Sequence, residues 1–155
     1  MSNNPPRLGA ATGHQNPSSP VQNPDDRVTA AARQAMDGLR QIRAVMNPPD
    51  GRPVSVPAAW ERLQPVRAVT VVLEEAGFPA ATLGADGRPT TTGYRIRRDD
   101  GVVRVEWIGP PGSGATYQQH DQLQRCARAL QDLGWETLEY RGPRGHRWLE
   151  VEAAP

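Results

Sequence analysis

The segment from Tyr94 to Ile108 alternates apolar and polar side chains on either side of an Asp100-Gly101 pair. Asp-Gly suits the two-residue type I′ turn, which needs positive φ at both central residues and twists in the same sense as the strands it joins. Such a turn fixes the register. On one side of the ribbon it sets Tyr94 opposite Trp107, Ile96 opposite Val105 and Arg98 opposite Val103. On the other it sets Arg95 opposite Glu106 and Arg97 opposite Arg104. The first side is largely apolar and is expected to lie on a core.

Helices flank this hairpin, and two of their stops share one pattern: Leu73-Glu-Glu-Ala-Gly77-Phe78 and Leu130-Gln-Asp-Leu-Gly134-Trp135. Glycine fits the left-handed position after a helix, and the aromatic that follows can fold back over the leucine five residues earlier. The helix ending at Gly77 is expected in two pieces, because Pro65 lacks an N–H and crowds the preceding turn. Its second piece, Pro65 to Ala76, presents Val66, Val69, Leu73 and Ala76 as a buried stripe. The helix ending at Gly134 carries Leu123, Cys126, Ala127, Leu130 and Leu133 on one face, with Thr116 and Gln119 matching a capping box at its start. A second hairpin follows, Glu136 to Arg141 and His146 to Glu152, around Gly142-Pro-Arg-Gly145. Pairing Leu138 with Leu149 keeps Glu139 off Glu150 and sets the expected register. Helix followed by hairpin thus occurs twice, with little shared sequence beyond the stops. Residues 79–92, rich in Gly, Pro and Thr, are left unassigned.

The fold class that results is α+β, a mainly antiparallel sheet of about four strands packed with helices in α-β-β-α-β-β order over residues 58–155. Ahead of it, Asn23-Pro24-Asp25-Asp26 offers an N-cap, a proline at the first helical position and acids in the first turn, so a helix is expected from Pro24 to Met46. Val28, Ala32, Ala35, Leu39, Ile42 and Met46 follow a heptad-type spacing along it. This seam either docks on its own domain or meets a protein partner or a second copy. Residues 47–57 carry four prolines and are expected to hold that helix off as an arm. Residues 1–24 are rich in Asn, Pro, Ser and Gln with few large apolar side chains, and are expected to form a disordered tail.

The chain's 155 residues include no apolar run near the ~18 needed to cross a bilayer. Its N-terminus lacks an apolar stretch behind a basic start, so a cytoplasmic location and no membrane partner are expected. Cys126 is the single cysteine, which leaves no intramolecular disulfide or thiolate-rich metal site, and it is read as a small buried apolar residue. All 18 basic residues are arginine against 17 acids, a net charge of +1 that selects no polyanionic partner by itself. Arginine without lysine also reads as GC-rich coding, which suits a small accessory protein of a plasmid or phage.

Gly109 to Thr116 approaches the phosphate-binding pattern G-x-x-x-x-G-K-[ST], but Ala115 stands where the lysine must reach the outer phosphates. The strand before it belongs to a hairpin rather than to a parallel nucleotide-binding sheet. The loop therefore reads as a Gly/Pro lead-in to a helix. No catalytic or metal set assembles from His14, His120, His146 and Cys126, since Cys126 lies about 240° around the helix from His120. A non-enzymatic protein without a cofactor is expected.

Two surfaces remain as binding candidates. Arg97 opposed to Arg104 invites an anion, and Arg95, Arg141 and Trp148 add stacking and charge on the same outer sheet face, although Glu106, Glu139 and Glu150 share it. The loop from Arg141 to Arg147 adds Arg144, His146 and Arg147 with no acid. The leading expectation is a small binding or regulatory protein that acts through a protein partner by its first helix. The alternative is a nucleic-acid binder using the arginine-rich hairpins.

Overall fold

The computed structural model describes residues 24–155, without the side chains of 24–29. The expected tail lies outside the described residues apart from Pro24, as does the side chain of Val28. Helix α1 runs Pro24–Met46, a 3-10 turn follows at Pro53–Ser55, and α2 (Ala59–Leu63) and α3 (Pro65–Glu75) are separated at Gln64. Strands β1 (Gly93–Asp99) and β2 (Val102–Ile108), helix α4 (Ala115–Gln131), and strands β3 (Trp135–Arg141) and β4 (Arg147–Ala153) complete the fold. The four strands form one antiparallel sheet in the order β1-β2-β4-β3, so two α-β-β units meet through their second strands. Helices α3 and α4 cover one face, and α1 lies on α3. Among the described residues no helix covers the other face.

The first hairpin has the expected register at every position, with Asp100 at φ 52° and Gly101 at φ 83°. Tyr94, Val103, Val105 and Trp107 are buried under the helices with Leu73, Leu123, Leu130 and Trp135. Within α3 the buried stripe is Ala68, Val69, Val72 and Leu73, while Val66 is half-buried and Ala76 exposed. That stripe is rotated toward residues that face both α1 and the sheet.

The second hairpin departs from expectation by one residue. Leu138 lies opposite Glu150, and Glu139 opposite Leu149. A one-residue slip exchanges the two faces of a strand, and here Trp135 decides the parity. Only 2 % exposed, it starts β3 on the helix side opposite Ala153, which places Thr137, Glu139 and Arg141 on that side too. Leu138, 63 % exposed, is left on the open face. Glu139 is tolerated beneath α4 because His120, Gln124 and Arg147 bond its carboxylate.

Both helix stops have left-handed glycines, Gly77 at φ 92° and Gly134 at φ 85°. After Gly77 the Phe78 N–H donates to the Leu73 carbonyl at 3.0 Å, the long-range bond of a Schellman turn. Gly134 has a further constraint, since a Cβ there would lie 2.2 Å from the Ser55 carbonyl oxygen. Gly134→Ala is expected to lower unfolding free energy by about 2 kcal/mol in a urea titration, from the left-handed backbone and the displaced linker together. Gly51→Ala, with open space at its Cβ position, is the comparison that should move little.

The linker does not hold α1 away. Asn47 Nδ2 donates to the carbonyls of Pro53 at 2.7 Å and Val56 at 2.9 Å, and Arg43 Nη1 to that of Val54 at 2.8 Å, which folds residues 47–57 back along the helix. The helix turns Ala32, Met36, Leu39 and Arg43 inward. Of the expected seam, Ala32 and Leu39 are therefore spent on the chain's own core, whereas Ala35, Ile42 and Met46 face out. Arg43 is fully buried and forms a two-pronged pair with Glu61 of α2, Nε to Oε2 and Nη2 to Oε1 both 2.7 Å.

Helix α4 begins at Ala115 with Gly114, at φ 82°, as its N-cap. The capping box expected of Thr116 and Gln119 does not form, because Gln119 is drawn into the sheet junction. Residues 79–92 make a small irregular hairpin with single bridges Leu83–Pro89 and, to β1, Ala80–Tyr94.

Candidate functional site

The helix-free face of the sheet gathers the charged and aromatic side chains that the strand alternation turns away from the helices. From β1 come Arg95 and Arg97, from β2 Arg104 and Glu106, from β3 Glu136, Leu138 and Tyr140, and from β4 Trp148, Glu150 and Glu152. Cations thus collect at the β1–β2 end and carboxylates at the β3–β4 end.

Glu106 is the centre of the cationic half. Its side chain is 4 % exposed and accepts from Arg95 Nη2 at 2.7 Å and Nε at 2.9 Å, lies 3.2 Å from Arg97 Nε, and takes a bond from His146 Nε2 at 3.1 Å. Burial pushes this carboxyl up, but the bonds from Arg95 and His146 and the charges of Arg95 and Arg97 outweigh it and hold it below the ordinary carboxylate range. The opposed arginines therefore find their anion inside the protein. Arg97 shares Glu106, and Arg104 reaches Asp99 at 3.2 Å while lying 4.6 Å over the Trp148 ring. Tyr140 and His146 each stack near Trp148 with centroids 5.9 Å away, and Gly142 leaves the room that the indole occupies.

His146 connects this face to the helix side. Its Nδ1 lies 3.3 Å from the Gln119 amide nitrogen, so the neutral tautomer with hydrogen on Nε2 satisfies both ring nitrogens. Gln119 also donates to the Trp107 carbonyl at 3.4 Å and accepts from the Arg147 N–H at 3.1 Å. Its amide bridges β2 and β4 where their ladder ends. Beyond it Glu139 accepts from Arg147 at 2.8 Å and is held below the ordinary range, burial being outweighed by bonds from His120, Gln124 and Arg147.

Of the residues singled out from sequence, Arg95, Arg97, Arg104, His146 and Trp148 come together. The register shift carries Arg141 to the helix side, together with Glu139, and Arg147 lies opposite Arg141 on that side, two residues before the buried Leu149. Arg144 stands exposed at the hairpin tip, at φ 61°. Gln119, Glu139 and Tyr140 were not anticipated as members of the network. The cross-strand Arg95–Glu106 pair was legible, but the contribution of His146 depends on β2 lying beside β4, for which the sequence has no local signal.

The arrangement keeps its carboxylates ionised and saturated with donors, which suits charge recognition and rigidity more than proton transfer. Burial pushes the Cys126 thiol up to about 12 against the opposing charge of Arg125, so it is protonated at neutral pH. Among the described residues no group of three or more His, Cys, Asp or Glu is placed to hold a metal ion, and no helix is long and apolar enough to cross a membrane. No protein-family model matches the chain, and neither does any curated protein or solved structure.

Proposed function

We propose that the protein is a non-enzymatic binding protein that acts through a protein partner, and that it receives an apolar helix of that partner between α1 and α2. One observation carries this reading. Ile42, Val45 and Met46 are 42 %, 80 % and 68 % exposed, and with Ala58, Ala59 and Trp60 they line a groove of about 530 Å³. Large apolar side chains grouped in this way are uncommon on a surface that has no partner. The chemistry of the flank suits a helix. Ala31, Gln34, Ala35, Gly38, Gln41, Ile42 and Val45 share one side of α1, and Arg33, Asp37, Arg40 and Arg43 all lie around toward the other. Gly38 has nothing within 4 Å of where its Cβ would be, which leaves space for a closely approaching backbone.

The test compares the full chain with an Ile42→Glu/Val45→Glu variant, both used to capture partners from the cells that make it. A partner that is purified, rebinds the wild type at fixed stoichiometry and loses the variant supports the reading. Capture of the same proteins by both forms removes it. Neither side chain is buried, so the variant should unfold at the wild-type urea concentration.

A second reading is favoured by the open sheet face, where Arg104, Trp148 and Tyr140 form a stack of the kind on which unpaired bases settle. It ranks below the first because the Arg104 guanidinium is already matched by Asp99, and Glu136, Glu150 and Glu152 stand beside the stack. The two readings differ in salt response. Phosphate contacts weaken steeply with ionic strength, whereas burial of an apolar helix is nearly indifferent to it.

A further inference from the structure

Strand β1 forms one edge of the sheet, and only its first residues are covered. Tyr94 donates its N–H to the Pro79 carbonyl at 2.9 Å and accepts from the Ala81 N–H at 2.9 Å, so residues 79–81 act as a short added strand. The chain then turns away into the hairpin at residues 82–91. Since alternate residues of an edge strand point their backbone groups outward, Ile96 and Arg98 follow Tyr94 in presenting N–H and C=O to the free side. Neither has a backbone or side-chain partner there among the described residues. Directly beside them a groove of about 870 Å³ runs between β1 and α3, walled by Val66, Thr70, Phe78, Tyr94 and Ile96.

We infer that this edge binds an extended segment of another protein, added to the sheet as a further strand, with apolar side chains entering the groove and acidic ones on the alternate positions. Edge addition obtains affinity from main-chain bonds and specificity from side chains that alternate between the two faces. The groove accepts the inward set. The outward set falls beside Arg95 and Arg97, which share the one carboxylate of Glu106, whereas Arg98 lies on the groove side with Tyr94 and Ile96. The same charges argue against a second copy as the occupant, because antiparallel pairing of two β1 edges centred on Ile96 sets Arg95 against Arg97 of the other copy on both sides of the axis. This surface is separate from the α1–α2 groove, so either can fail without the other.

The test uses a fluorescein-labelled seven-residue peptide alternating glutamate with valine, titrated into the full chain and read by anisotropy. Saturable binding is expected, weakened at least about tenfold when alternate backbone nitrogens are methylated, since that removes the donors of the ladder. A peptide with lysine in place of glutamate should bind the wild type no better than the methylated one. An Arg97→Glu variant turns that face net negative beside Glu106 and should reverse the order of the two charged peptides, and the position is exposed enough to leave the fold intact. Amide hydrogen exchange supplies a second readout: the Ile96 and Arg98 amides should exchange fast in the free protein and slow when the glutamate peptide is bound.

The inference is overturned if the glutamate peptide does not saturate at millimolar concentration, if methylation is without effect, or if the protection lies elsewhere. It is also overturned if both amides are already protected in a sedimenting dimer, which would make a second copy the occupant.

Discussion

Glu61→Ala is expected to cost about 3–5 kcal/mol of folding stability, the largest effect of any single change away from the apolar core. Both members of the Arg43–Glu61 pair have fully buried side chains, so removing the carboxylate leaves a guanidinium with no water and no counter-charge. A second loss accompanies the first, because Glu61 Oε2 also accepts from the Ala58 N–H at 2.9 Å and so satisfies the start of α2. Arg43→Met leaves the converse, a buried carboxylate, and exposes the Val54 carbonyl that Arg43 Nη1 had bonded.

The double variant Arg43→Met/Glu61→Leu separates the charge from the packing. Two apolar side chains of similar volume remove both desolvated charges together, and such replacements are commonly neutral or better. Here recovery should be large but incomplete, since the Ala58 N–H and Val54 carbonyl remain without partners at about 1–2 kcal/mol each. Urea titrations of the four proteins of the cycle measure this. A double variant as unstable as the worse single one would mean that the pair does not hold α1 to α2. Near-surface proteolysis of α1 should rise in the single variants, because the bracket of residues 47–57 is tied to Arg43.

The contrast between this pair and the first hairpin shows which features were readable in advance. Asp100-Gly101 is a local signal that sets turn, register and face in one step, so Tyr94, Val103, Val105 and Trp107 could be assigned to the core and Arg95 paired with Glu106. Gly77 and Gly134 are similarly local, since a helix stop requires positive φ whatever it packs against. The second hairpin turns through Pro143–Gly145 with Arg144 in the left-handed region, and neither its length nor its residues specify a register. Pairing leucine with leucine was then the only guide, and it failed because Trp135 buries more apolar surface than Leu138 and claims the helix side first.

Arg43 was unreadable for a different reason. Its spacing from Ala32, Met36 and Leu39 is that of a core position, but nothing within one helix shows that a carboxylate 18 residues away will meet it. Once Arg43 turns inward, Ile42, 100° behind it, is turned out, whereas Met46 lies nearly in line with the buried Leu39 and is exposed at the last residue of α1. The buried ion pair thus accounts for Ile42 in the apolar groove, and the heptad spacing that pointed to a partner-binding seam identified some of the right residues on the wrong rotation of the helix. The open face shows the same limit, because Glu106 gains His146 only through the β2–β4 junction, and Gln119 completes that junction instead of capping α4.

Glu106→Gln is the second large effect, expected at about 2–3 kcal/mol near neutral pH. The amide keeps the size of the side chain but leaves Arg95 and Arg97 without a counter-charge and offers His146 a weaker acceptor. The share due to Arg97 is small, since that side chain is 49 % exposed and solvent screens it, whereas Arg95 and the 4 %-exposed carboxylate form the stronger contact. The pH dependence gives a more specific check. The carboxyl of Glu106 titrates lower in the folded protein than in the unfolded chain, so across that interval the unfolded chain binds more protons and stability rises with pH. Its contribution is complete above the ordinary carboxylate range and is lost as the pH falls through that range to the lowered folded value. Glu139 behaves in the same sense through His120, Gln124 and Arg147. The wild type should therefore lose stability steeply on acidification, Glu106→Gln should lose less over the same interval, and the two curves should converge at low pH. Parallel curves throughout would show that Arg95 and His146 do not stabilise the ionised carboxylate, and the sheet face would then lack the fixed charge on which the order of Arg95, Arg97 and His146 across it depends.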